Sequence, residues 1–445
     1  MKRFFYPLLL LLAVAFTFTA CDDDDVIVPV LELNVPGLNE SGVVEVAQGD
    51  TLVLKASVSN TEFCMFQWSL DGKLVATAQS YKFVSSEVGE TLVSIKATSV
   101  SGGVATREFK VNVYGKYKNG TFILSEGNMS DENGRLAFIS PKGVVTDSVY
   151  YKENGSFIGN VAQDLYIADG KMYIISQNGS VNGGDGFLVV TNAETMKKEV
   201  VYDKELESMS KTWPSHVAVV GDNAYIRDNN GINLFNLASK ELKTIEGTAG
   251  ATKNRMAVLG NKVFAAQQNN ILVIENDKVV ATIKLDGAIS GVIKSSDNNL
   301  WVSCTTNPAQ IVKVNATDYS VIQKNEITET GLNAGWGVSP AISAKGDTLY
   351  FSNNTTTIYR HIFSEKTTKK MVNVKDHVAN ANILYNNLAV HPETGDVYFP
   401  TLKGWGQDYK INDISVFNFD KAPFLRADYQ GNTSFPAGIF FTANF

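Results

Sequence analysis

Residues 216–236 read HVAVVGDNAYIRDNNGINLFN, and this stretch decides the fold. A mostly apolar run at residues 216–220 is followed by a polar turn at residues 221–223. A second apolar run around Tyr225 is followed by polar residues, and a third begins at Ile232. Apolar runs of about five residues separated by tight polar turns predict short antiparallel strands joined as hairpins. The same pattern recurs along most of the chain, so we treat it as a structural repeat.

The repeat occupies residues 117–445 and carries an aromatic residue at one recurring strand position. These residues are Phe122, Tyr173, Tyr225, Phe264, Trp301, Tyr350 and Tyr398. Units of four short antiparallel strands, each about 40 to 50 residues long, are typical of β-propeller blades. We therefore predict a seven-bladed β-propeller, with six or eight blades as alternatives, and expect the repeat aromatics to pack between blades.

The first unit of the repeat lacks a strand on its N-terminal side. Residues 437–441, near the C-terminus, are an apolar run of the kind that forms this strand in the other units. An open ring would leave two unpaired sheet edges, which closure removes. We therefore expect residues 437–441 to pair beside Phe122.

Residues 28–115 show period-two alternation in five short runs, separated by turns such as Asp71-Gly72. This pattern predicts an antiparallel β-sandwich with Trp68 in its core. The segment resembles PKD-like and bacterial immunoglobulin-like domains. We expect it to act as a spacer.

The N-terminus has Lys2 and Arg3, an apolar run from Leu8 to Phe18, and then Thr19-Ala20-Cys21. This arrangement resembles a bacterial lipoprotein signal, which implies a signal peptide at residues 1–20 and a lipid on Cys21. An ordinary secretory signal is the alternative. Residues 21–27 form an acidic tether, because adjacent aspartates repel one another. Acidic residues after the cysteine resemble a surface-export signal, which implies outer-membrane, surface-exposed localisation.

Composition excludes several functions. The 445 residues include 39 Lys and Arg against 46 Asp and Glu, a net charge of −7, which argues against a nucleic-acid partner. The four histidines lack metal-ligand spacing, and no nucleophile elbow or phosphate-binding glycine loop occurs. We therefore expect no catalytic residues, no metal and no cofactor. A lactonase-type calcium site using Glu126 and Asn128 is the enzymatic alternative.

Propellers bind ligands at one mouth of the central channel, which is formed by two sets of loops. Amides and aromatic faces dominate these loops here, and such groups suit a large, mostly neutral ligand with amide or hydroxyl groups. Turn geometry alone is the competing explanation for each asparagine. The candidate ligand-binding residues are Glu126, Asn128, Gln163, Asp164, Gln177, Trp213, His216, Arg255, Gln267, Trp336, Asn353, Tyr385, Trp405 and Tyr409.

Three stretches carry a family resemblance: residues 123–128, residues 390–398 and residues 435–441. They resemble the first and last blades of a surface lipoprotein propeller family of Bacteroides-like bacteria, which is YncE-like and DUF5074-like. Some members of that family capture corrinoids and cap a TonB-dependent transporter. Residues 400–409 differ from the last-blade motif of the family.

The sequence thus predicts a non-catalytic surface lipoprotein that captures a ligand for nutrient uptake. The resemblance makes a corrinoid (vitamin B12) the leading ligand and a TonB-dependent transporter its partner. A surface glycan binder or a protein-interaction scaffold is the second hypothesis, and a lactonase-like hydrolase is the third.

Overall fold

The structure is a computed structural model that describes residues 26–61, 63–335 and 339–442. The chain divides into two compact units, Met1–Tyr114 and Gly115–Phe445. The predicted signal peptide, Cys21 and the four aspartates of the tether lie outside the described residues. Within those residues, no helix has the length and apolar character needed to span a bilayer.

The first unit contains two sheets that share one core. A three-stranded sheet is formed by Leu31–Asn34, Leu52–Val58 and Ser80–Phe83, and a five-stranded sheet by Val43–Ala47, Val104–Tyr114, Gly89–Ser99, Cys64–Leu70 and Lys73–Ala76. Apolar side chains from both sheets, among them Leu54 and Ile95, surround Trp68. Trp68 is fully buried and donates its indole N–H to the Ala78 carbonyl at 3.0 Å, which confirms the prediction that it is a core residue.

One strand pairing in this unit differs from the all-antiparallel prediction. Val43–Ala47 runs parallel to Val104–Tyr114, with Val43 opposite Lys110. Parallel pairing joins segments that are far apart in the sequence, so no hairpin turn in the sequence indicates it.

The second unit contains seven antiparallel sheets in the described residues, which we number in chain order. Sheet 1 comprises Pro436–Phe441, Thr121–Ser125, Arg135–Ile139 and Val145–Thr146; sheet 2 comprises Ala162–Ala168, Lys171–Ser176, Leu188–Asn192 and Lys198–Tyr202; sheet 3 comprises His216–Val220, Asn223–Arg227, Ile232–Asn236 and Leu242–Thr244; and sheet 4 comprises Ala257–Leu259, Lys262–Gln267, Asn270–Glu275 and Lys278–Lys284. Sheet 5 comprises Ile289–Lys294, Leu300–Cys304, Ala309–Val314 and Val321–Ile327; sheet 6 comprises Ile342–Lys345, Thr348–Phe351, Thr357–Ile362 and Thr367–Asn373; and sheet 7 comprises Ile383–Leu384, Ala389–Val390, Val397–Leu402, Asn412–Phe417 and Leu425–Gln430.

We call the first strand given for each sheet its inner strand; in sheet 7 the inner strand has two parts. Each inner strand contacts the inner strand of the next sheet, and that of sheet 7 contacts that of sheet 1. A separate hydrophobic core lies between each pair of consecutive sheets, and one core joins sheet 7 to sheet 1 through Tyr398 and Ile439. The second unit is therefore all-β and propeller-like.

The repeat aromatics occupy these cores. Phe122, Phe264 and Trp301, for example, lie in the cores that follow sheets 1, 4 and 5, and each is at most 1% exposed. This placement confirms that the aromatic repeat packs one sheet on the next.

The C-terminal segment closes the unit as expected. Pro436–Phe441 pairs antiparallel with Thr121–Ser125, and Phe440 lies opposite Phe122. The Thr442 hydroxyl and the Gly120 backbone exchange two further hydrogen bonds, at 2.7 and 3.0 Å.

Sheet 7 departs from the regular pattern because its inner strand is split. Residues 385–388 leave the ladder, Asn386 has φ 60°, and its side-chain amide donates to the Pro436 carbonyl at 2.9 Å. The helical segments are short, and they are the α-helix Val149–Asn154 and the 3-10 turns Val181–Gly183, Lys204–Lys211, Val374–Asp376 and Gly406–Lys410.

Candidate functional site

The entry face is the face at which the chain enters the inner strands. Because neighbouring strands are antiparallel, the second strand of each sheet ends at this face. Glu126 directly follows such a strand in sheet 1. Its N–H donates to the Phe435 carbonyl at 2.8 Å, and its carbonyl accepts from the Ala162 N–H at 3.2 Å. These bonds fix Glu126 between the closing strand and sheet 2.

The Glu126 carboxylate is the centre of a polar cluster. It accepts hydrogen bonds from the Tyr385 hydroxyl and the Gln163 amide, and it lies near enough to Lys253 for a favourable charge interaction. Desolvation nonetheless dominates and raises the pKa of Glu126 to about 7. The residue is partly exposed. We name Glu126, Gln163, Lys253 and Tyr385 the Glu126 cluster.

The cluster joins residues from sheets that are far apart in the sequence. Gln163 lies on the inner strand of sheet 2, Lys253 precedes that of sheet 4, and Tyr385 lies within the split strand of sheet 7. Burial lowers the pKa of Lys253, and the Arg227 charge lowers it further, whereas Glu126 opposes the shift. Burial and Glu126 both raise the pKa of Tyr385, so it remains a neutral donor.

Gln163 offers an acceptor that the protein does not use. The side chain is 2% exposed, and its Oε1 has no hydrogen-bond partner among the described residues. A buried acceptor without a partner costs about 1 to 3 kcal/mol. A ligand N–H or O–H that reached it would recover that energy.

Aromatic rings line the neighbouring part of the entry face. Phe435 stacks on Tyr409 at 4.3 Å between ring centroids, and its centroid lies 5.3 Å from that of Tyr385. Trp405 lies 6.1 Å from Tyr385 and 6.5 Å from Phe435, yet it is 51% exposed. The Asn128 amide donates to the Tyr409 hydroxyl at 3.4 Å. We name Tyr385, Trp405, Tyr409 and Phe435 the aromatic wall.

Asp164 and Arg255 form an ion pair near the centre of the ring. The Arg255 Nε donates to the Asp164 carboxylate at 2.7 Å, and the guanidinium lies 4.1 Å from the centroid of Phe440. Asp164 is 2% exposed, and burial raises its pKa to about 6 although Arg255 lowers it. The pair connects sheets 1, 2 and 4, so its geometry points to a structural role.

Other predicted site residues have local structural contacts. His216 is fully buried in its strand and shares a hydrogen bond with the Ser215 hydroxyl at 3.0 Å. Gln267 donates to the carbonyls of Gly247 and Ala249 at 3.1 and 2.8 Å. Asn353, at φ 52°, accepts two hydrogen bonds from Asn333. His216 begins the inner strand of sheet 3, at the entry face.

The remaining predicted residues differ in their placement. The Gln177 N–H donates to the Val161 carbonyl at 2.9 Å, and Trp213 is 50% exposed with φ 57°. Trp336 lies outside the described residues. Sequence reasoning missed Lys253 and Phe435; Lys253 directly precedes Asn254-Arg255 in the same entry loop, which was the available signal.

Among residues 26–61, 63–335 and 339–442, no three His, Cys, Asp or Glu residues are grouped so that they could hold a metal ion. The site therefore consists of hydrogen-bonding groups, one lysine, one titratable carboxyl and aromatic surface.

Comparison with protein families gives a match over residues 119–442 to the family described as Domain of unknown function (DUF5074). No curated protein matches the chain in sequence. A solved structure of a quinonprotein alcohol dehydrogenase-like protein from Bacteroides thetaiotaomicron VPI-5482 is similar, with a TM-score of 0.56 and 16% identity over 92% of this chain and 99% of that one. This likeness concerns the fold.

A second solved structure is that of PorZ, a surface component of the type-IX secretion system of Porphyromonas gingivalis. It matches with a TM-score of 0.41 and 12% identity, over 77% of this chain and 44% of PorZ. A similarity at that level carries no inference about this chain.

Proposed function

The chain belongs to the DUF5074 family, and from this premise we propose that its second unit is a seven-bladed β-propeller that captures a large, mostly neutral ligand on the entry face. The observation that carries the proposal is the convergence of the Glu126 cluster beside the aromatic wall. Concave sites with apolar walls and a few convergent polar groups are the usual form of ligand pockets.

Each part of the site contributes a different interaction. Trp405 offers an exposed flat face for an extended apolar surface. Lys253 is a cationic donor close to Glu126, and the Tyr385 hydroxyl and the Gln163 amide hold the Glu126 carboxylate in place. Glu126 accepts when ionised and can donate when protonated, so its pKa of about 7 makes it adaptable near neutrality.

A corrinoid is the leading ligand. It is a large, flat macrocycle with peripheral amide groups, and these features complement an aromatic wall beside amide and carboxylate acceptors. We propose binding rather than catalysis, because the aromatic wall offers contact surface for a large ligand and the Glu126 carboxylate is already held by Tyr385 and Gln163.

The setting of this function is also a proposal. We infer a lipid anchor on Cys21 and display at the outer-membrane surface, where a captured corrinoid passes to a TonB-dependent transporter. In intact cells, external protease should remove the protein, and Cys21→Ser should release it from the membrane fraction. Protection of the wild-type protein from external protease would contradict surface display.

Calorimetric titration of the full chain with cyanocobalamin tests the proposed ligand. We expect saturable one-to-one binding and a raised melting temperature. Trp405→Ala should weaken binding at least tenfold, equivalent to about 1.4 kcal/mol, without changing the melt. Ile322→Ala is the matched control, because Ile322 is 50% exposed on the last strand of sheet 5. Equal losses in both variants would contradict the assignment.

Glu126→Gln provides a second test. The ionised carboxylate is the better acceptor for amide N–H groups, so wild-type affinity should increase as pH rises through about 7. The isosteric amide should bind more weakly and lose this pH dependence. If cyanocobalamin does not bind but neutral oligosaccharides do, the entry face is a glycan site; if neither binds, the capture proposal is wrong.

A further inference from the structure

The first unit has a strand edge that lacks a partner over half of its length. The strand Cys64–Leu70 pairs with Gly89–Ser99 along its whole length on one side. On its other side, Lys73–Ala76 pairs only with residues 68–70. Among the described residues, nothing pairs with the backbone of residues 64–67 on that side. We call residues 64–67 the open edge.

The strand register shows which backbone groups face outward at the open edge. The Asp71 N–H donates to the Leu92 carbonyl at 2.8 Å, which makes this pair a hydrogen-bonded one. Hydrogen-bonded pairs alternate along an antiparallel ladder, so every second residue counted back from Asp71 bonds to Gly89–Ser99. The residues between them, Cys64 and Phe66, direct their N–H and C=O groups the other way. The open edge therefore presents two donors and two acceptors with the spacing of a β-ladder.

A cavity of about 630 Å³ lies beside the open edge and reaches both faces of the strand. Cys64 and Phe66 line it from the face that packs on the core of the unit, and Met65 lines it from the opposite face. Val58, from the three-stranded sheet, and Gln79 complete the inner side. None of the described lining residues is charged. An uncharged occupant whose side chains alternate between two faces fits this space.

The open edge also lacks two common protections of natural sheet edges, which are charged side chains and prolines. Residues 64–67 read CMFQ and contain neither. Phe63 and Met65 are each 70% exposed, and Val100 is 83% exposed. All three line the same cavity, and clustered exposed apolar side chains of this kind mark a contact site.

We propose that the open edge binds a short, uncharged peptide segment in extended conformation, which adds a further strand to the five-stranded sheet. Two alternate aliphatic residues of the peptide lie opposite Cys64 and Phe66, exchange backbone hydrogen bonds with them and point into the cavity. The peptide residue between them lies beside Met65 on the other face. This site belongs to the first unit and is separate from the proposed ligand capture on the entry face.

A peptide fits the open edge better than a second copy of the chain does. Two copies paired edge to edge would place one cavity opposite the other, because a two-fold interface uses the same surface twice, and the apolar space would stay unfilled. Four residues of edge are also short for a stable dimer, which usually buries about 1,200 to 2,000 Å².

The first test titrates the full-length protein with the peptide acetyl-Lys-Thr-Val-Thr-Val-Thr-Lys-amide, in which the two valines are placed to face the cavity and the lysines keep the peptide soluble. We expect saturable one-to-one binding in calorimetry and a raised melting temperature. N-methylation of both valines removes the two donors that face the open edge and should weaken binding at least about tenfold.

N-methylation of the second and third threonines is the matched control, because their N–H groups point away from the open edge. This control peptide should bind within about threefold of the parent peptide. Equal affinities of the two methylated peptides would show apolar contact without strand pairing and overturn the proposal, as would the absence of any binding by the parent peptide.

Two variants locate the binding. Cys64→Pro removes an N–H that faces the open edge, and proline is tolerated at the first residue of a strand. It should weaken binding of the parent peptide about tenfold, whereas Cys64→Ala, which keeps the N–H, should bind within about twofold of the wild type. Circular dichroism checks the fold, and the methylated peptides decide the question on the wild type if Cys64→Pro does not fold. Equal affinities in the two folded variants would refute the site.

Sedimentation velocity of the full-length protein without peptide, under reducing conditions, tests for a second copy at the open edge. We expect a monomer. A dimer that Cys64→Pro dissociates would assign the open edge to self-association and overturn the proposal. Cyanocobalamin binding concerns residues of the second unit, so its outcome is measured separately from that of the peptide.

Discussion

Replacing Arg255 by methionine removes the counter-charge of a carboxylate that is buried at the centre of the ring. Asp164 is 2% exposed, and Arg255 is its charged partner at 2.7 Å. Removing one member of a buried ion pair typically costs about 3 to 5 kcal/mol, because the other charge stays buried without compensation. The Arg255→Met variant should therefore lose about this much unfolding free energy at pH 8.

The effect of pH follows from the pKa of Asp164, which burial raises to about 6. Above pH 6 the carboxyl is ionised and needs Arg255. At pH 5 it is mostly protonated in the folded protein, so the cost should fall to about 1 to 2 kcal/mol for lost packing and hydrogen bonding. The loss of unfolding free energy caused by Arg255→Met therefore grows as pH rises from 5 to 8.

Guanidinium denaturation at the two pH values, supported by scanning calorimetry, measures both quantities. For a unit the size of Gly115–Phe445, 3 to 5 kcal/mol corresponds to about 4 to 7 °C in melting temperature. The double variant Arg255→Met/Asp164→Leu should recover part of the loss, since no charge is left buried. A cost below about 0.5 kcal/mol at pH 8, or equal costs at both pH values, would refute this reasoning.

Three further variants test other parts of the structure. Asp413→Asn should stabilise the protein by about 2 kcal/mol at pH 7.5 and leave its stability unchanged at pH 4. The reason is that burial and Asp428 raise the pKa of Asp413 to about 6, so the wild-type protein loses stability as pH rises through that value. Denaturation at both pH values measures the effect, and a destabilised variant would contradict the assignment. Gly438→Ala should lower the unfolding free energy by about 1 to 3 kcal/mol, because the added methyl group would meet Arg255 Nη2. Gly404→Ala is the control and should cost less, because the nearest neighbour of its methyl group is the Asp408 side chain at 3.2 Å. Equal melting temperatures for the two variants would argue against the close approach at Gly438. Phe122→Ala should lower the unfolding free energy by about 3 to 5 kcal/mol, because this fully buried ring packs on Phe138 with 5.0 Å between ring centroids. Phe157→Ala, which removes a 40% exposed ring, is the control. Similar losses in the two variants would count against the core between sheets 1 and 2.

The strand pattern was predictable because it depends on local chemistry. Alternation sets which side chains are buried, and polar turns such as Gly221-Asp222 set where hairpins fold. The pairing of Phe440 with Phe122 was predictable for another reason: a missing strand at one end of a repeat and a surplus strand at the other complete each other.

The site was less predictable, because it depends on which residues from distant sheets converge. Lys253 approaches Glu126 only through the ring, so nothing local to either residue indicates the interaction. Asparagine and glutamine also have structural roles in turns. Gln267 donates hydrogen bonds to two loop carbonyls, whereas Gln163 has an acceptor without a partner among the described residues. The sequence alone does not distinguish these two cases.

The most direct test of ligand capture on the entry face is hydrogen–deuterium exchange of the full-length protein with and without cyanocobalamin. We expect protection in the segments around Glu126, Gln163, Lys253 and Tyr385 and in the loop that carries Trp405. Exchange that stays unchanged in all of these segments, or protection confined to residues 26–114, would contradict it.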